Sequence, residues 1–392
     1  MTPPVVIIGA GLAGWTTARE FRKLDTTTPV VMVTADSGDF YAKPSLSNAF
    51  AQGRLPAQLV STPAATMADT LDVTLRPHSR VEAIDPAGQT VSIRDAGAAS
   101  VLAYRQLVLA TGALPIRVPL EGDAAHQVLS VNSLADFSTF HGRLMTDSEA
   151  GSGAGRHVLI MGAGLIGCEF ANDLAQAGLR VSVVDPGPRP LAALLPETAS
   201  AELRQALETL GVTFYFGSTV RSADQSPSGA GPIRATLSNG QEVQADCVLS
   251  AIGLRADTSL ARAAGLTVER GIVVNRQLQT SAPQVYALGD CAQYDHGLTL
   301  PYVMPIMTAA KALAATLAGA PTEVAFPLMP VAIKTPALPL VVAPPRPGST
   351  GQWNSPEAGL WQWLDEAGLQ RGFVLAGAQT KQRMAQSRLV VL

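Results

Sequence analysis

The most specific chemical signal in this sequence is a glycine triplet, Gly-x-Gly-x-x-Gly, that occurs twice, over 9–14 and over 162–167. Such a turn bends sharply, lets the backbone approach a pyrophosphate closely and lets the next helix pack against the preceding strand. The amides and the positive dipole end at the start of that helix then face the phosphates. Two copies predict two dinucleotide sites in one chain.

The elements around the first triplet fit this interpretation. A continuous apolar run, Val5–Ile8, is typical of a buried strand, and a second such run, Val30–Val33, ends shortly before Asp36. Asp36 follows Gly14 by 22 residues, about where an acid reaches a ribose hydroxyl. The segment between the runs has a helical period of apolar residues. These residues are Trp15, Ala18, Phe21 and Leu24.

The second triplet has the same context, with strands predicted over 158–161 and 180–184 and an acid, Asp185, at the end of the second strand. An acid there favours the 2′-hydroxyl of NAD and repels the 2′-phosphate of NADP, which predicts NADH. Two other interpretations stay open. Asp185 could simply begin the turn at Pro186, and Arg189 could accommodate a phosphate.

Composition bounds the remaining possibilities. The chain has 392 residues, of which 47% are apolar and 15% charged, and this predicts two to three packed domains. The formal charge of −3, without a basic cluster, argues against nucleic-acid binding. No apolar stretch approaches the roughly 18 to 20 residues that span a bilayer, and no basic leader precedes Val5. We therefore expect no membrane association and a cytoplasmic location.

The cysteines and histidines show no spacing that suggests chemistry. The three cysteines, Cys168, Cys247 and Cys291, stand far apart without a Cys-x-x-Cys pair, which favours a reducing compartment and buried, inert thiols. The five histidines show no metal-ligand spacing, so we expect no metal site. Signatures of serine hydrolases and of P-loop nucleotide binding are also missing from the sequence.

Two further segments, 107–113 and 285–290, together with the glycine turns, resemble the two-dinucleotide-fold flavoprotein family. The resemblance implies an α/β fold with two Rossmann-like domains, for FAD and for NAD, and a small C-terminal α+β domain. It implies an FAD domain over 1–118 and 256–325, an NAD domain over 119–255 and a C-terminal domain over 326–392. The Gly- and Ser-rich stretches 147–156 and 222–232 are predicted to be mobile surface loops.

Strands are predicted in the C-terminal segment over 331–334, 340–342, 360–364 and 372–375, followed by a short helical end. Trp361 and Trp363 are two residues apart and should lie on one face, as core residues rather than cofactor contacts. In the resembled family, such a domain covers the flavin and often contributes to a dimer interface. The sequence itself leaves open whether the protein is a monomer or a homodimer.

The segment where related disulfide reductases and NADH oxidases carry redox cysteines reads Phe40–Ser47 here and holds no cysteine. Electrons must then leave the reduced flavin directly for an external acceptor. Lys43–Ser47 resembles the K/R-P-x-L-S signature of reductases that serve rubredoxins, ferredoxins and flavorubredoxin. The segments 333–336 and 302–305 are similar to those of rubredoxin–NAD⁺ reductases, and this resemblance covers essentially the whole chain.

The resemblance also implies which residues contact the cofactors. On FAD these are Gly9, Gly11, Leu12, Ala13, Gly14, Ala35, Asp36, Lys43, Pro44, Val81, Ala110, Thr111, Gly112, Gly289, Asp290, Val303 and Lys334. On the NAD side they are Gly162, Gly164, Leu165, Ile166, Gly167, Glu169, Asp185 and Gly253.

Lys43, Glu169 and Lys334 are the catalytic candidates. A lysine near the flavin stabilises the negative charge of its reduced form, and a carboxylate opposite keeps that lysine in position. In the resembled family the glutamate pairs with the lysine of the Ile333–Pro336 element. Two structural explanations stay open, namely that Lys43 faces solvent and that the positive end of its own helix favours Glu169.

The resemblance implies that NADH passes a hydride to flavin N5 and that single electrons then go to rubredoxin. Because rubredoxins are acidic, a basic docking rim is expected, with Lys43, Arg54, Lys311 and Arg346 as candidates. A ferredoxin or flavorubredoxin acceptor, and a non-catalytic redox sensor that binds NADH, are the alternatives.

Overall fold

A computed structural model describes residues 3–145, 155–226 and 231–391. Its α-helices are α1 (Leu12–Arg22), α2 (Ala64–Leu71), α3 (Leu134–Met145), α4 (Leu165–Gln176), α5 (Glu197–Thr209), α6 (Ser259–Ala263), α7 (Val303–Leu317) and α8 (Arg383–Leu389). Among these described segments, no helix is long and apolar enough to cross a membrane.

The strands, in chain order, are β1 (Val5–Ile8), β2 (Val30–Val33), β3 (Phe40–Tyr41), β4 (Val60–Thr62), β5 (Val73–Arg76), β6 (Ser79–Asp85), β7 (Thr90–Asp95), β8 (Ala98–Ala103), β9 (Gln106–Leu109), β10 (Ala113–Pro115), β11 (His157–Met161), β12 (Arg180–Asp185), β13 (Thr213–Phe216), β14 (Val220–Asp224), β15 (Ile233–Leu237), β16 (Glu242–Ala245), β17 (Cys247–Ser250), β18 (Leu254–Ala256), β19 (Ile272–Val273), β20 (Val285–Ala287), β21 (Ala292–Gln293), β22 (Val331–Ile333), β23 (Leu340–Ala343), β24 (Gly351–Glu357), β25 (Leu360–Asp365) and β26 (Gln370–Ala376).

The chain forms two compact units, each built from three separate segments. Unit 1 contains Met1–Ala42, Val60–Leu114 and Leu254–Pro327. Unit 2 contains Lys43–Leu59, Pro115–Gly253 and Leu328–Leu392. The short segment 43–59 therefore leaves the first unit and belongs to the second. The division into FAD, NAD and C-terminal domains stays a prediction.

Unit 1 is organised around a parallel five-stranded sheet in the order β20-β9-β1-β2-β5. Every residue of β1 is buried, as expected for a parallel strand that is covered on both faces. Trp15, Ala18 and Phe21 of α1 are buried as predicted, but Leu24 lies beyond the end of the helix and is 58% exposed. The antiparallel sheet β6-β7-β8 belongs to the same unit.

Unit 2 is also organised around a parallel sheet, here of four strands in the order β13-β12-β11-β17. In both units the strand that precedes the glycine turn is central, and the next strand of the motif lies beside it, which is the Rossmann arrangement. An antiparallel sheet, β14-β15-β16, accompanies it. The predicted loop 222–232 is wrong at its start, because residues 222–224 belong to β14. The predicted loop 147–156 lies mainly outside the described residues, as does 227–230.

The C-terminal segment of unit 2 forms an antiparallel sheet in the order β22-β23-β26-β25-β24, followed by α8. The four predicted strands are present, but β24 was not predicted because its sequence, with Asn354, Ser355 and Pro356, lacks an apolar alternation. It lies at the sheet edge, where a proline does not interrupt a ladder. Trp361 is buried, and Trp363 packs edge to face on Trp353 with centroids 5.3 Å apart.

Candidate functional site

The first glycine turn has the close approaches that a dinucleotide cradle requires. A Cβ on Gly9 would lie 2.3 Å from the Ala110 carbonyl oxygen, and one on Gly14 would lie 1.9 Å from the Gly9 oxygen. Gly9 also has a φ of +108°, which disfavours any side chain. Gly11 is the N-cap residue of α1, and a Cβ there would meet nothing within 4 Å. The turn therefore combines tight strand–helix packing with open space at the helix N terminus, and these residues fit the pyrophosphate of FAD.

Asp36 follows β2 and is exposed, as is the preceding Ala35. Its Oδ1 accepts the Thr34 hydroxyl at 2.6 Å and the Gly38 amide at 3.0 Å. These bonds hold the carboxylate at the carboxyl end of the sheet, where a ribose hydroxyl would be recognised.

The other segments predicted for the first cradle also lie at the ends of strands of unit 1. Ala110–Gly112 follows β9, and the Thr111 hydroxyl donates to the Asp257 carbonyl at 2.8 Å. Gly289, with a φ of +81°, begins the 3₁₀ turn that holds Asp290, and its amide donates to the Tyr294 hydroxyl at 3.0 Å.

Four apolar residues predicted to contact FAD differ in their position and exposure. They are Leu12, Ala13, Val81 and Val303. Leu12 and Ala13 form the first turn of α1. Val303 begins α7 and is 40% exposed, whereas Val81 is buried in the core of the unit. Val81 therefore offers little accessible surface to a ligand.

The second glycine turn has the same pattern of close approaches as the first. A Cβ on Gly162 would lie 2.7 Å from the Ala251 oxygen, and one on Gly167 would lie 1.9 Å from the Gly162 oxygen. Gly164 is the N-cap residue of α4 and has nothing within 4 Å of its added Cβ. Leu165 and Ile166 form the first turn of that helix. This cradle fits the pyrophosphate of NADH.

Asp185 at the end of β12 is bound to the turn itself. Its Oδ2 accepts the Ala163 amide at 2.7 Å, and its Oδ1 accepts the Gly187 amide at 2.6 Å. The carboxylate thus begins the turn after β12 and also fixes the loop between the glycines. Arg189 donates to the Leu195 carbonyl at 2.9 Å. Gly253 is exposed, with a φ of +114°, and its carbonyl accepts the Ile116 amide.

Glu169 and Lys334, which are 165 residues apart in sequence, form an ion pair in unit 2. The Lys334 Nζ lies 2.6 Å from Glu169 Oε2, and the Lys334 amide donates to Oε1 at 3.0 Å. The glutamate side chain is 6% exposed and the lysine side chain 31% exposed. The ammonium also donates to the Pro44 carbonyl at 2.6 Å. The Lys43–Asn48 turn, α4 and the segment after β22 therefore meet at one charged pair.

Lys43 is placed differently from Lys334. It is exposed, and its Nζ donates to the Asn132 side chain at 3.2 Å. Among the other docking candidates, Arg54 donates to the Gln58 carbonyl in unit 2, and the exposed Lys311 lies on α7 in unit 1. Arg346 in unit 2 lines a surface cavity of about 160 Å³.

Three polar residues of this site were not predicted. The buried Ser47 donates its hydroxyl to Glu169 Oε2 at 2.6 Å and accepts from Lys334 Nζ at 3.1 Å. Asn172 and Asp173, which follow Glu169 by one helical turn, are 1% and 3% exposed. The sequence does contain a signal for Asn172 and Asp173. Together with Glu169 they occupy positions i, i+3 and i+4, which share one face of an otherwise apolar helix.

The cysteines are buried, as predicted. Burial raises the pKa of the Cys247 thiol to about 12 and raises that of Cys168 and Cys291 as well. Thiolates are therefore scarce at neutral pH, and none of the three is suited to a redox relay.

Comparison with known proteins agrees with this geometry. The chain belongs to the pyridine nucleotide-disulphide oxidoreductase family, whose model matches residues 3–316. Residues 323–389 match a second model, described as a rubredoxin binding C-terminal domain. The predicted family and fold class are confirmed.

Individual relatives extend over nearly the whole chain. The rubredoxin-NAD(+) reductase of Alcanivorax borkumensis is 45% identical and covers 97% of this chain and 97% of its own. The nitric oxide reductase FlRd-NAD(+) reductase of Aeromonas hydrophila is 40% identical over 96% of this chain and 93% of its own. The structure of a covalent putidaredoxin reductase–putidaredoxin complex aligns with a TM-score of 0.86 at 24% identity, over 99% of this chain and 93% of the other.

Proposed function

We propose that this protein is an FAD-dependent NADH:rubredoxin reductase. The observation that carries the proposal is the presence in one chain of two dinucleotide cradles and a C-terminal segment of the rubredoxin-binding type. Bound FAD supplies the conversion of a hydride from NADH into single electrons for a one-iron acceptor. The protein acts in the cytoplasm, and its three predicted domains bind FAD, bind NADH and dock the acceptor.

The chain's own residues bind and orient the cofactors in this proposal. The turn at Gly9–Gly14, with Asp36 and Asp290, holds FAD, and the turn at Gly162–Gly167, with Asp185, holds NADH. Because Asp185 carries a negative charge, NADH is favoured over a 2′-phosphorylated nucleotide. The described cysteines carry no electrons, because burial keeps all three as thiols.

The Glu169–Lys334 pair is proposed to work electrostatically. Lys334 would offer a positive charge that favours the negatively charged form of a bound reduced flavin, and Glu169 holds the ammonium in place. Neither residue is a nucleophile. Lys43, which is exposed, is assigned to the flavin rim, and Lys43, Arg54, Lys311 and Arg346 are each candidates for binding an acidic acceptor.

A stopped-flow experiment tests the proposal. The yellow protein is reduced anaerobically with one equivalent of NADH and mixed with oxidised rubredoxin, ferredoxin, flavorubredoxin or air, while flavin and iron absorbance are followed. Fast reoxidation by rubredoxin and slow reoxidation by air are expected. Reduction of rubredoxin no faster than of unspecific dyes would refute the acceptor, and slow reoxidation by every acceptor would indicate a redox sensor.

Flavorubredoxin is the second candidate acceptor. The similarity to the Aeromonas hydrophila reductase, at 40% identity, favours testing it in the same instrument. If its rubredoxin-like domain is reduced at least as fast as free rubredoxin at equal concentration, flavorubredoxin becomes the assigned partner.

A further inference from the structure

Glu169 is the meeting point of two chain segments, and each segment is held a second time a few residues further on. Ser47 and Lys334 both bond to Glu169. Three residues after each of them, the amides of Phe50 and Ala337 donate to other side chains of the same helix, α4. Each segment is therefore held to α4 at two points, once at Glu169 and once about one helical turn later in the same helix.

The second anchors are consecutive residues of α4. Asn172 Oδ1 accepts the Ala337 amide at 3.0 Å. Asp173 accepts the Phe50 amide on Oδ2 at 3.0 Å and the Ala51 amide on Oδ1 at 2.9 Å. The Asp173 carboxylate thus caps the beginning of the turn that follows Lys43–Asn48.

A buried carboxylate is costly unless it is fully paired, and the surroundings of Asp173 show this balance. Burial raises the pKa of Asp173 above its ordinary value, and the backbone amides of residues 49–51 and the charge of Lys334 oppose only part of that increase. A role as a helix residue alone would not require a charge at this position, since an apolar side chain fills a buried helix face without that cost.

We propose that Asp173, assisted by Asn172, is a positioning residue that sets the approach of Ser47 and Lys334 to Glu169. The proposal rests on the function proposed above for the Glu169–Lys334 pair. Asp173 fixes the Lys43–Asn48 turn from its C-terminal side, so Ser47 and the Pro44 carbonyl stay where the Lys334 ammonium needs them. Asn172 fixes the segment after Lys334 in the same way.

The test uses the holoprotein and the variants Asp173→Asn, Glu169→Gln and Asp25→Asn. Asp173→Asn keeps the shape but turns an amide NH₂ toward a backbone N–H. Asp25→Asn is the control, because the Asp25 carboxylate also accepts two backbone amides, of Thr27 and Thr28, in unit 1, but both on Oδ1, an oxygen that asparagine keeps. Two quantities are measured for each variant: amide hydrogen exchange by mass spectrometry, and the NADH-dependent flavin reduction rate with its KM.

In Asp173→Asn we expect amide exchange to accelerate between about 10- and 100-fold in peptides covering 43–51 and also 334–337. The flavin reduction rate should fall by about 10-fold or more without a comparable rise in KM. Asp25→Asn should change neither quantity. Combining Asp173→Asn with Glu169→Gln should cost less than the product of the two single losses, because both act on one pair.

Acceleration confined to 43–51, with flavin reduction unchanged while Glu169→Gln is slow, would overturn the positioning role and leave the charged pair intact. If Glu169→Gln is also unchanged, the proposed function of the pair fails, and the positioning role fails with it. Should Asp173→Asn not fold, Asn172→Leu replaces it. This variant removes the Ala337 acceptor together with a buried Nδ2 that lacks a partner in the described residues. Unchanged exchange at 334–337 in this variant would likewise overturn the proposal.

Discussion

The position of Asp185 allows the preference for NADH over NADPH to be predicted quantitatively. Its carboxylate ends β12 and is half-buried, with one oxygen on the Ala163 amide and the other on the Gly187 amide. A ribose 2′-hydroxyl can donate to the remaining lone pairs. A 2′-phosphate would bring roughly two negative charges into the same place.

The size of the effect follows from Coulomb's law. Two unit charges about 4 Å apart interact with about 4 kcal/mol at an effective dielectric of 20, which corresponds to nearly 1,000-fold in binding. Asp185 is partly accessible to solvent, so screening reduces this value. We expect Asp185→Asn to lower the ratio of kcat/KM for NADH over NADPH by between about 10- and 100-fold.

The assay uses ferricyanide as acceptor, so that the result does not depend on rubredoxin. Asp246→Asn is the control, because its carboxylate accepts the His157 amide at 2.7 Å, at the opposite end of β11 and about 15 Å away along the strand. Asp246→Asn should leave the ratio unchanged. An Asp185→Asn protein that folds normally and keeps the wild-type ratio would refute the assignment of Asp185 as the ribose ligand.

Three further outcomes are expected. Gly11→Ala should fold normally but retain less FAD, because its Cβ enters only the space assigned to the pyrophosphate. Gly14→Ala should fail to fold, because its Cβ would overlap the Gly9 oxygen. The ratio of absorbance at 450 nm to that at 280 nm measures FAD content, and circular dichroism measures folding. Alkylation with N-ethylmaleimide at pH 8 should leave NADH–ferricyanide activity intact, since every cysteine is buried, and rapid inactivation would contradict this. Burial lowers the pKa of His141 below its usual 6.5, so the unfolded chain binds more protons as pH falls, and stability is lost below about pH 6.5. Melting temperatures should show a smaller acid loss in His141→Gln, and an unchanged pH slope would exclude this histidine as its cause.

The elements predicted best from the sequence are those whose signal is local. A glycine turn, the strand before it and the acid after the next strand lie within about 30 residues, and their chemistry is dictated by backbone geometry. For Leu24, the helical period was extended past the end of α1. For 222–232, a loop-like composition was extended into residues 222–224, which pack in β14.

The site around Glu169 shows why the rest could not be predicted locally. Ser47 lies 122 residues before the glutamate and Lys334 lies 165 residues after it. Family resemblance suggested the Lys334 pairing, but Ser47, Asn172 and Asp173 carry no motif that marks their partners. The role of Asn172 and Asp173 depends on which backbone amides the tertiary fold brings to α4, and that of Ser47 on the side chains of Glu169 and Lys334.

The division of each unit into three segments has a consequence for synthesis of the chain. The parallel sheet of unit 1 needs β20, at 285–287, to complete its edge, whereas the parallel sheet of unit 2 is complete once residue 250 has left the ribosome. Since domains fold as units during synthesis, the sheet begun second should be completed first. The β9 edge of the first sheet, within the N-terminal 114 residues, then stays unpaired until β20 has been synthesised.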